Sequence, residues 1–348
     1  MIEKDSSTIE LRMATLDAER LRGSTEPALE PDLAIVDPHH HLWDFRSHRY
    51  LLDEILADTD CGHRIEQTVY MECGAFYRRD EPSSMRFLGE VEFVNGVAAM
   101  AASGRYGSTL VAAGIVGMAD LTLGASVEEV LTAQMACAGK RFKGIRYAAG
   151  WEDKTREIHL SHTNPPEHLY RDSPIFRQGF AKLGELGLSF DAWVYHTQLS
   201  DLVDLARAFP AQAIVLNHVG GPMGLSWYAS RKEEVFAHWS AGIQELAKCE
   251  NVCIKLGGLG MLLNGFEFEK RAQAPSSEDL ANAWRPFIET AIEAFGCERC
   301  MFESNFPVDK VSGSYGNYWN AFKRIAASAS AEQKASLFKQ TAVDFYRL

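Results

Sequence analysis

The stretch that decides the fold is residues 34–44, which read Ala-Ile-Val-Asp-Pro-His-His-His-Leu-Trp-Asp. The apolar run at 34–36 predicts a short buried strand, and three histidines follow almost directly. Because side chains alternate along an extended chain, His39 and His41 share one face while His40 points the other way. Two imidazoles on one face can meet one metal ion or one substrate. The pattern therefore predicts a functional site; the alternative is a surface cluster or a set of core histidines bonded to carbonyls.

Further apolar strands alternate with helical stretches along the rest of the chain. After 34–36, strands are predicted at 64–73, 110–118, 142–148, 188–195, 213–218, 252–256 and 300–304. Helices are predicted at 84–103, 126–138, 173–186, 199–209, 231–249 and 277–295, with the last helices inside 315–347.

This alternation predicts an α/β fold, a (β/α)8 TIM barrel with its active site at the carboxyl ends of the strands. The alternative fold is a doubly wound sheet. That fold typically has a G-x-G-x-x-G motif after the first strand, where this chain has histidines. We expect a single barrel domain at 33–348, preceded at 1–32 by a helix (9–22) and an extended arm. Residues 46–63 are expected to form an irregular loop at the rim of the site.

The amino-acid composition limits the classes of molecule that the protein is expected to bind. The chain has 35 Lys and Arg against 47 Asp and Glu, a net charge of −12, which disfavours nucleic acid. No apolar run approaches the roughly 20 residues that span a bilayer, and no signal peptide is evident, so we expect no membrane partner. Seven scattered cysteines argue against a disulfide framework and for a cytoplasmic protein. The expected partner is a small-molecule substrate, and whether the protein forms a homo-oligomer is left open.

Two charged residues lie at the ends of predicted strands two and four. Glu72 interrupts an apolar run, and is either a site carboxylate or the salt-bridge partner of Arg146. Arg146 can hold a carbonyl or anionic oxygen of a substrate with its planar fork, or form that buried ion pair. Both are therefore candidate substrate-binding residues with a structural alternative.

Strands five to seven end in further polar residues. Tyr195 or His196 is expected to point into the site, although alternation makes it hard for both to do so. His218 stands between an apolar strand and a glycine turn, and Lys255 is embedded in apolar sequence. We interpret His218 as a site residue and Lys255 as a ligand for a substrate carboxylate.

Five segments together resemble the amidohydrolase-2 branch of the amidohydrolase superfamily, in particular its lactonase group. These segments are 37–43, 143–146, 193–199, 218–222 and 302–307. The resemblance covers about residues 33–348 and implies a TIM barrel that hydrolyses a lactone or similar cyclic ester or amide. It also implies that His39, His41 and His218 match metal or substrate histidines and that Arg146 matches a substrate-binding arginine. Some members of the group bind one divalent ion, Zn or Mn, and some work without any.

One departure from the family concerns the proton acceptor. Where the family usually has aspartate after strand eight, this chain has Asn305, whose amide cannot take a proton from water. Glu303 lies on the same face, so we hypothesise that Glu303 supplies the carboxylate, with Glu72 or Asp309 as fallbacks.

The mechanism favoured by these features is attack of an activated water on a ring carbonyl. A metal ion held by His39 and His41 would lower the pKa of that water, and His218 would be a further ligand or stabilise the oxyanion. A metal-free version would use the same histidines as hydrogen-bond donors. Two other functions stay open: metal-dependent decarboxylation of an aromatic or enol acid, and a catalytically inactive binding barrel.

Aromatic residues near the strand ends favour an apolar or aromatic ring in the substrate. They are Trp43, Phe45, Tyr50, Phe76, Tyr77, Trp151, Trp227 and Tyr228.

Overall fold

The computed structural model describes residues 20–21, 25–45, 48–154 and 165–348. Eight parallel strands form one sheet whose order follows the chain. They are β1 Ala34–His40, β2 Arg64–Met71, β3 Leu110–Gly117, β4 Phe142–Ala148, β5 Ser189–Trp193, β6 Ile214–Leu216, β7 Val252–Leu256 and β8 Cys300–Phe302. The predicted (β/α)8 barrel is confirmed.

Helices follow the strands and pack around the barrel. They are α1 Leu52–Thr59, α2 Leu88–Ala102, α3 Val127–Ala138, α4 Leu169–Asp172, α5 Pro174–Glu185, α6 Leu199–Ala208, α7 Lys232–Leu246, α8 Ser277–Phe295, α9 Tyr315–Ile325, α10 Ala331–Ala335 and α11 Thr341–Tyr346. Local sequence explains where several begin: Ser173 caps α5 ahead of Pro174, and Ser276 forms a capping box with Asp279 at α8. No helix of the described ranges is long and apolar enough to cross a membrane.

The expected irregular loop at 46–63 was wrong in part. Trp43–Phe45 pairs antiparallel with His48–Tyr50, and α1 follows at once. The Trp43 indole N–H donates to Nδ1 of His48 at 2.8 Å, which ties the two short strands together. Strands of only three residues are too short to be predicted from an alternation of apolar and polar side chains.

The barrel closes between β8 and β1 by only a few main-chain contacts. Phe306 and His40 form a single parallel bridge, and the His41 N–H donates to the Phe306 carbonyl at 2.8 Å. The Asn305 N–H donates to the His39 carbonyl at 3.0 Å. This seam places the segment after β8 directly against the histidines that end β1.

The barrel interior holds a small apolar cluster that the C-terminal helix covers. Its buried members are Val36, Val69, Met71, Val116, Val215, Met301, Ala342 and Tyr346. The last two come from α11, whose Thr341 hydroxyl donates to the Cys297 carbonyl just before β8 begins. Helix α11 therefore lies at the amino-terminal end of the barrel, opposite the end where a site is expected.

Residues 25–33 of the predicted arm lie along α9. The Leu29 N–H donates to Oδ1 of Asn320 at 2.7 Å, and Nζ of Lys323 donates to the Leu29 carbonyl at 2.8 Å. The helix predicted at 9–22 falls almost wholly outside the described residues. The domain boundary at 32/33 stays a prediction.

Candidate active site

The end of β1 brings two imidazoles together as the alternation predicts. Nε2 of His39 lies 3.3 Å from Nε2 of His41, whereas the ring of His40 packs against Tyr70. Nδ1 of His41 lies 2.9 Å from the Met71 carbonyl, an acceptor, so Nδ1 carries the proton and Nε2 is left unprotonated toward His39.

A third imidazole and a carboxylate complete a cluster with His39. His218 follows β6 and Glu303 follows β8, and both side chains are buried. Oε1 of Glu303 lies 2.7 Å from Nδ1 of His218 and accepts the His218 main-chain N–H at 3.0 Å. Oε2 lies 2.7 Å from Nδ1 of His39, yet no in-line hydrogen bond to Oε2 forms among the described residues. Glu303 thus bridges two imidazoles from different strands.

Asn305 contacts the other side of the cluster. Its Oδ1 lies 3.3 Å from Nε2 of His41, and its Nδ2 donates to Oδ1 of Asp309 at 2.8 Å. Burial raises the pKa of Asp309 well above its usual value. Glu303 and Asn305 therefore both reach the histidines, but each contacts different ones. That Glu303 is the proton acceptor, with Asp309 or Glu72 as fallbacks, stays a prediction.

Arg146 is buried and paired with Glu72. Its Nε donates to Oε1 of Glu72 at 2.7 Å, and Nη1 lies 3.4 Å from Nε2 of His39. The salt-bridge alternative for these two residues is the arrangement that the structure has. It still leaves Arg146 in contact with the site, so its substrate-binding role, like that of Glu72, stays a prediction.

Lys255 is fully buried below His39. Its Nζ lies 2.8 Å from Oδ1 of Asp191 and 2.9 Å from the Pro38 carbonyl, and 3.3 Å from Nδ1 of His39. The ammonium has three donors, and three protein atoms lie within 3.3 Å of it. The structure gives Lys255 contacts within the protein rather than an exposed donor, so its predicted role with a substrate carboxylate stays untested.

Tyr195 and His196 are both buried, and their rings pack against other aromatic side chains. The Tyr195 ring packs edge-on against Trp193, whose indole in turn lies 4.7 Å from the His218 ring, centroid to centroid. The His196 ring packs against Tyr228. The substrate-binding roles of Tyr195 and His196 stay predictions.

Burial keeps the imidazoles neutral. Desolvation lowers the pKa of His39 and His41 well below the usual value for histidine. The pKa of His218 is also lowered by burial, and Glu303 opposes this change. Neutral imidazoles have a lone pair for a metal ion or a proton at physiological pH.

Several features of the cluster fit a bound divalent cation. His39, His218 and Glu303 offer ligand atoms that all lie within 4.8 Å of one another, and Oε2 of Glu303 is a buried carboxylate oxygen to which none of the described residues donates a hydrogen bond. The 3.3 Å between the Nε2 atoms of His39 and His41 equals the separation of about 3.3 Å expected for two imidazoles on one tetrahedral ion. Imidazole and carboxylate donors suit Zn and Mn. The predicted ligands His39, His41 and His218 thus lie together, and Glu303 joins them.

Three buried carboxylates that support the site were missed from the sequence. Asp191 pairs with Lys255, and Asp37 accepts from the Ser304 hydroxyl at 2.6 Å. Glu90 of α2 accepts the N–H groups of Cys73 and Ala75, directly after Glu72. Asp191 carried the same signal as Lys255, a charge inside an apolar strand, and could have been found that way.

Comparison with known proteins defines the family. The model of the amidohydrolase family Amidohydro_2 matches residues 36–348. The chain belongs to this family, and it is a hydrolase. It is 33% identical over 343 residues to the protein y4mH of Sinorhizobium fredii, a match that covers 91% of this chain and 99% of that one.

Two further relatives come from Burkholderia multivorans. An L-fucono-1,5-lactonase is 26% identical over 239 residues, which cover 64% of this chain and 77% of that one. The crystal structure of an amidohydrolase, solved also with bound zinc, superposes with a TM-score of 0.69 at 23% identity. This superposition covers 90% of this chain and 99% of the other chain, and it supports the assignment of the fold.

Proposed function

We propose that this hydrolase opens a lactone by attack of water on the ring carbonyl at the carboxyl-terminal end of the barrel. The observation that carries the proposal is the convergence of three neutral imidazoles, His39, His41 and His218, with the buried carboxylate of Glu303. Ester hydrolysis needs a proton acceptor for the water and a positive or hydrogen-bonding group for the developing oxyanion.

The residues of the cluster divide these tasks. In the absence of a bound ion, an unprotonated imidazole nitrogen of the cluster accepts the proton, since the lowered pKa values keep these rings uncharged at neutral pH. Arg146 lies 3.4 Å from His39 and offers a guanidinium N–H at the edge of the cluster for the carbonyl oxygen. A divalent cation bound by His39 with His41 or with His218 and Glu303 would add Lewis acidity and lower the pKa of a bound water.

The relatives support the choice of a lactone. One of them is an L-fucono-1,5-lactonase, and another amidohydrolase of the same fold has been crystallised with zinc. The aromatic residues around the mouth, Trp43 and Trp193 among them, suit one face of a ring substrate.

The test is a panel of neutral sugar lactones, carboxylated lactones and aromatic lactones, with acid release followed by a pH indicator. We expect turnover of at least one class, and a loss of about 10²–10⁴ in kcat/KM for His41→Gln. Glu293→Gln, on the exposed face of α8, is the control for a surface substitution. The metal content of protein purified without added metal is measured in parallel.

Other outcomes identify the alternatives. Release of CO2 from aromatic or enol acids, without lactone opening, would indicate a decarboxylase. No turnover of either substrate class by metal-loaded protein would contradict the proposal and favour a binding barrel.

A further inference from the structure

We propose that Glu303 acts through His218, as a positioning residue that fixes the tautomer and the orientation of this imidazole. The inference rests on the proposed function for its effect on catalysis, but the tautomer itself is measured without any substrate. It assigns Glu303 a different task from direct deprotonation of water, which is the alternative that the experiment tests.

The contacts between the two residues carry the inference. One carboxylate oxygen, Oε1, accepts a hydrogen bond from the His218 main-chain N–H at 3.0 Å and lies 2.7 Å from the ring Nδ1 of the same residue. An oxygen that already accepts the main-chain N–H also acts as an acceptor toward Nδ1, so the proton of the ring lies on Nδ1. Nε2 of His218 is then unprotonated.

The backbone conformation at His218 explains why this residue needs to be held in place by its surroundings. His218 and the β-branched Val219 have φ values of 56° and 46°, in the left-handed region that such residues rarely adopt. Residues held in this region persist only where the surroundings fix them, and they concentrate at functional sites. Glu303 contacts His218 at both main chain and ring, so it fixes the conformation and the ring together.

The turn after β7 is shaped to admit this pair. A Cβ at Gly257 would lie 2.3 Å from the main-chain oxygen of Glu303, and a Cβ at Gly258 would lie 2.4 Å from Nδ1 of His218. Both glycines therefore stand where a side chain would push Glu303 and His218 apart. Two successive glycines at these places leave the close approach of the carboxylate and the imidazole undisturbed.

Two substitutions of Glu303 separate positioning from proton transfer. Glu303→Gln removes the ionisable group but keeps Oε1, which the His218 main-chain N–H still orients toward His218. Glu303→Met has a similar length and no comparable acceptor. Positioning predicts that Gln preserves the tautomer and Met does not, whereas a direct base would be lost equally in both.

The experiment is ¹⁵N NMR of histidine-labelled, chelator-treated full-length protein, with the His218 signals assigned by their loss in His218→Gln. We expect the Nδ1–H tautomer in the native protein and in Glu303→Gln, and the Nε2–H tautomer or a mixture in Glu303→Met. With a lactone substrate, we expect kcat to stay within about 10-fold in Glu303→Gln and to fall about 100-fold in Glu303→Met. Glu293→Gln, the same change on the exposed face of α8, is the control.

Three results would overturn the inference. They are an Nε2–H tautomer of His218 in the native protein, an Nδ1–H tautomer that survives in Glu303→Met, and equal inactivity of both variants with the tautomer of Glu303→Gln intact. Absence of any lactone turnover would contradict the proposed function, while the NMR result on the native protein and both variants would still decide the role of Glu303.

Discussion

Asn305 illustrates how much one side chain can change in this site. Its φ is 55°, and its amide connects Nε2 of His41 to the carboxyl group of Asp309. The amide Nδ2 donates to Asp309, while the amide oxygen faces the unprotonated Nε2 of His41, so two acceptor atoms meet there without adding a net charge. An aspartate at the same place would put two carboxyl groups side by side in a buried environment.

We expect Asn305→Asp to be less stable than the native protein, and increasingly so at higher pH. Burial and the neighbouring Asp309 raise the carboxyl pKa values in the folded state, so the stability present at low pH is lost as pH rises through the raised pKa. Each unit of raised pKa costs about 1.4 kcal/mol. Urea unfolding at pH 5 and pH 8 with a chelator measures this; Asn282→Asp, exposed on α8, is the control. Equal destabilisation at both pH values would contradict the expectation.

Gly258→Ala tests the close packing around His218. The new Cβ would lie 2.4 Å from Nδ1 of His218, and the residue has a φ of 67° that alanine adopts poorly. We expect kcat to fall about 10- to 100-fold and the thermal midpoint to drop. Gly96→Ala within α2 is the control, because its Cβ meets nothing within 4 Å. If both variants keep native activity, the packing around His218 is more tolerant than the distances imply.

Single residues differ in how far the sequence predicts them. The shared face of His39 and His41 follows from alternation along one strand, and it was predicted. The pairing of Glu303 with His218 joins residues 85 positions apart through the left-handed turn at His218. The glycines after His218 indicate a turn, but no local signal predicts the left-handed backbone at His218 and Val219 or the pair with Glu303, so only the structure reveals these two features.

The seam between β8 and β1 has a single isolated bridge, between His40 and Phe306, and Asp37 reinforces this seam. Oδ1 of Asp37 accepts the Ser304 N–H at 3.0 Å, and Oδ2 accepts the hydroxyl groups of Ser304 at 2.6 Å and Tyr315 at 2.8 Å. One carboxyl group thus joins β1, the segment after β8, and α9. It does so where the main-chain ladder is nearly absent.

The seam should respond to pH through Asp37. Burial raises the pKa of Asp37 to about 6 from 3.8, so its protonated form is favoured in the folded state. Its contribution to stability is complete below pH 3.8 and is lost as pH rises to 6, a change of about 3 kcal/mol. In Asp37→Asn, which cannot titrate, we expect this dependence to disappear.

The measurement is the unfolding free energy of both proteins at pH 4 and pH 7, where the difference between them isolates Asp37. A constant difference between native and variant protein at the two pH values would contradict the assignment. Asp60→Asn, an exposed position, controls for the loss of a carboxylate.

Three elements were predicted from the sequence with the same bounds that the structure has. The bounds of β4, β7 and α8 were predicted to the residue, since apolar runs and a capping box mark them. The predicted strands 213–218 and 300–304 were too long, because the chain leaves the sheet at Asn217 and Glu303 to present side chains to the site. Functional geometry overrode local propensity there.

At the scale of the whole molecule, the two ends of the barrel are connected through its interior. The Tyr346 hydroxyl of α11 donates to Oδ1 of Asp191 at 2.7 Å, and the same oxygen lies 2.8 Å from Nζ of Lys255. Lys255 in turn contacts His39. A series of polar contacts therefore links helix α11 at one end of the barrel to the site at the other end.

We expect Tyr346→Phe to lower the free energy of unfolding by about 2 kcal/mol, because a buried carboxylate loses one donor. Lys255 and Asn217 still contact Asp191, so the fold should survive. Chemical denaturation against Tyr106→Phe, a tyrosine 40% exposed at the surface, measures the effect. A loss no larger than that of the control would show that the hydroxyl contributes nothing.

The paired charges of the interior restrict how this centre can vary. Arg146 belongs with Glu72, and Lys255 with Asp191, all of them shut away from water. Replacing one residue of a pair leaves the charge of its partner buried and unpaired, which lowers the free energy of unfolding by about 3–5 kcal/mol. Replacing both residues at once by matched neutral groups avoids this penalty. Divergence among relatives should thus proceed by coordinated replacements, with each arginine–glutamate or lysine–aspartate couple retained or abandoned together.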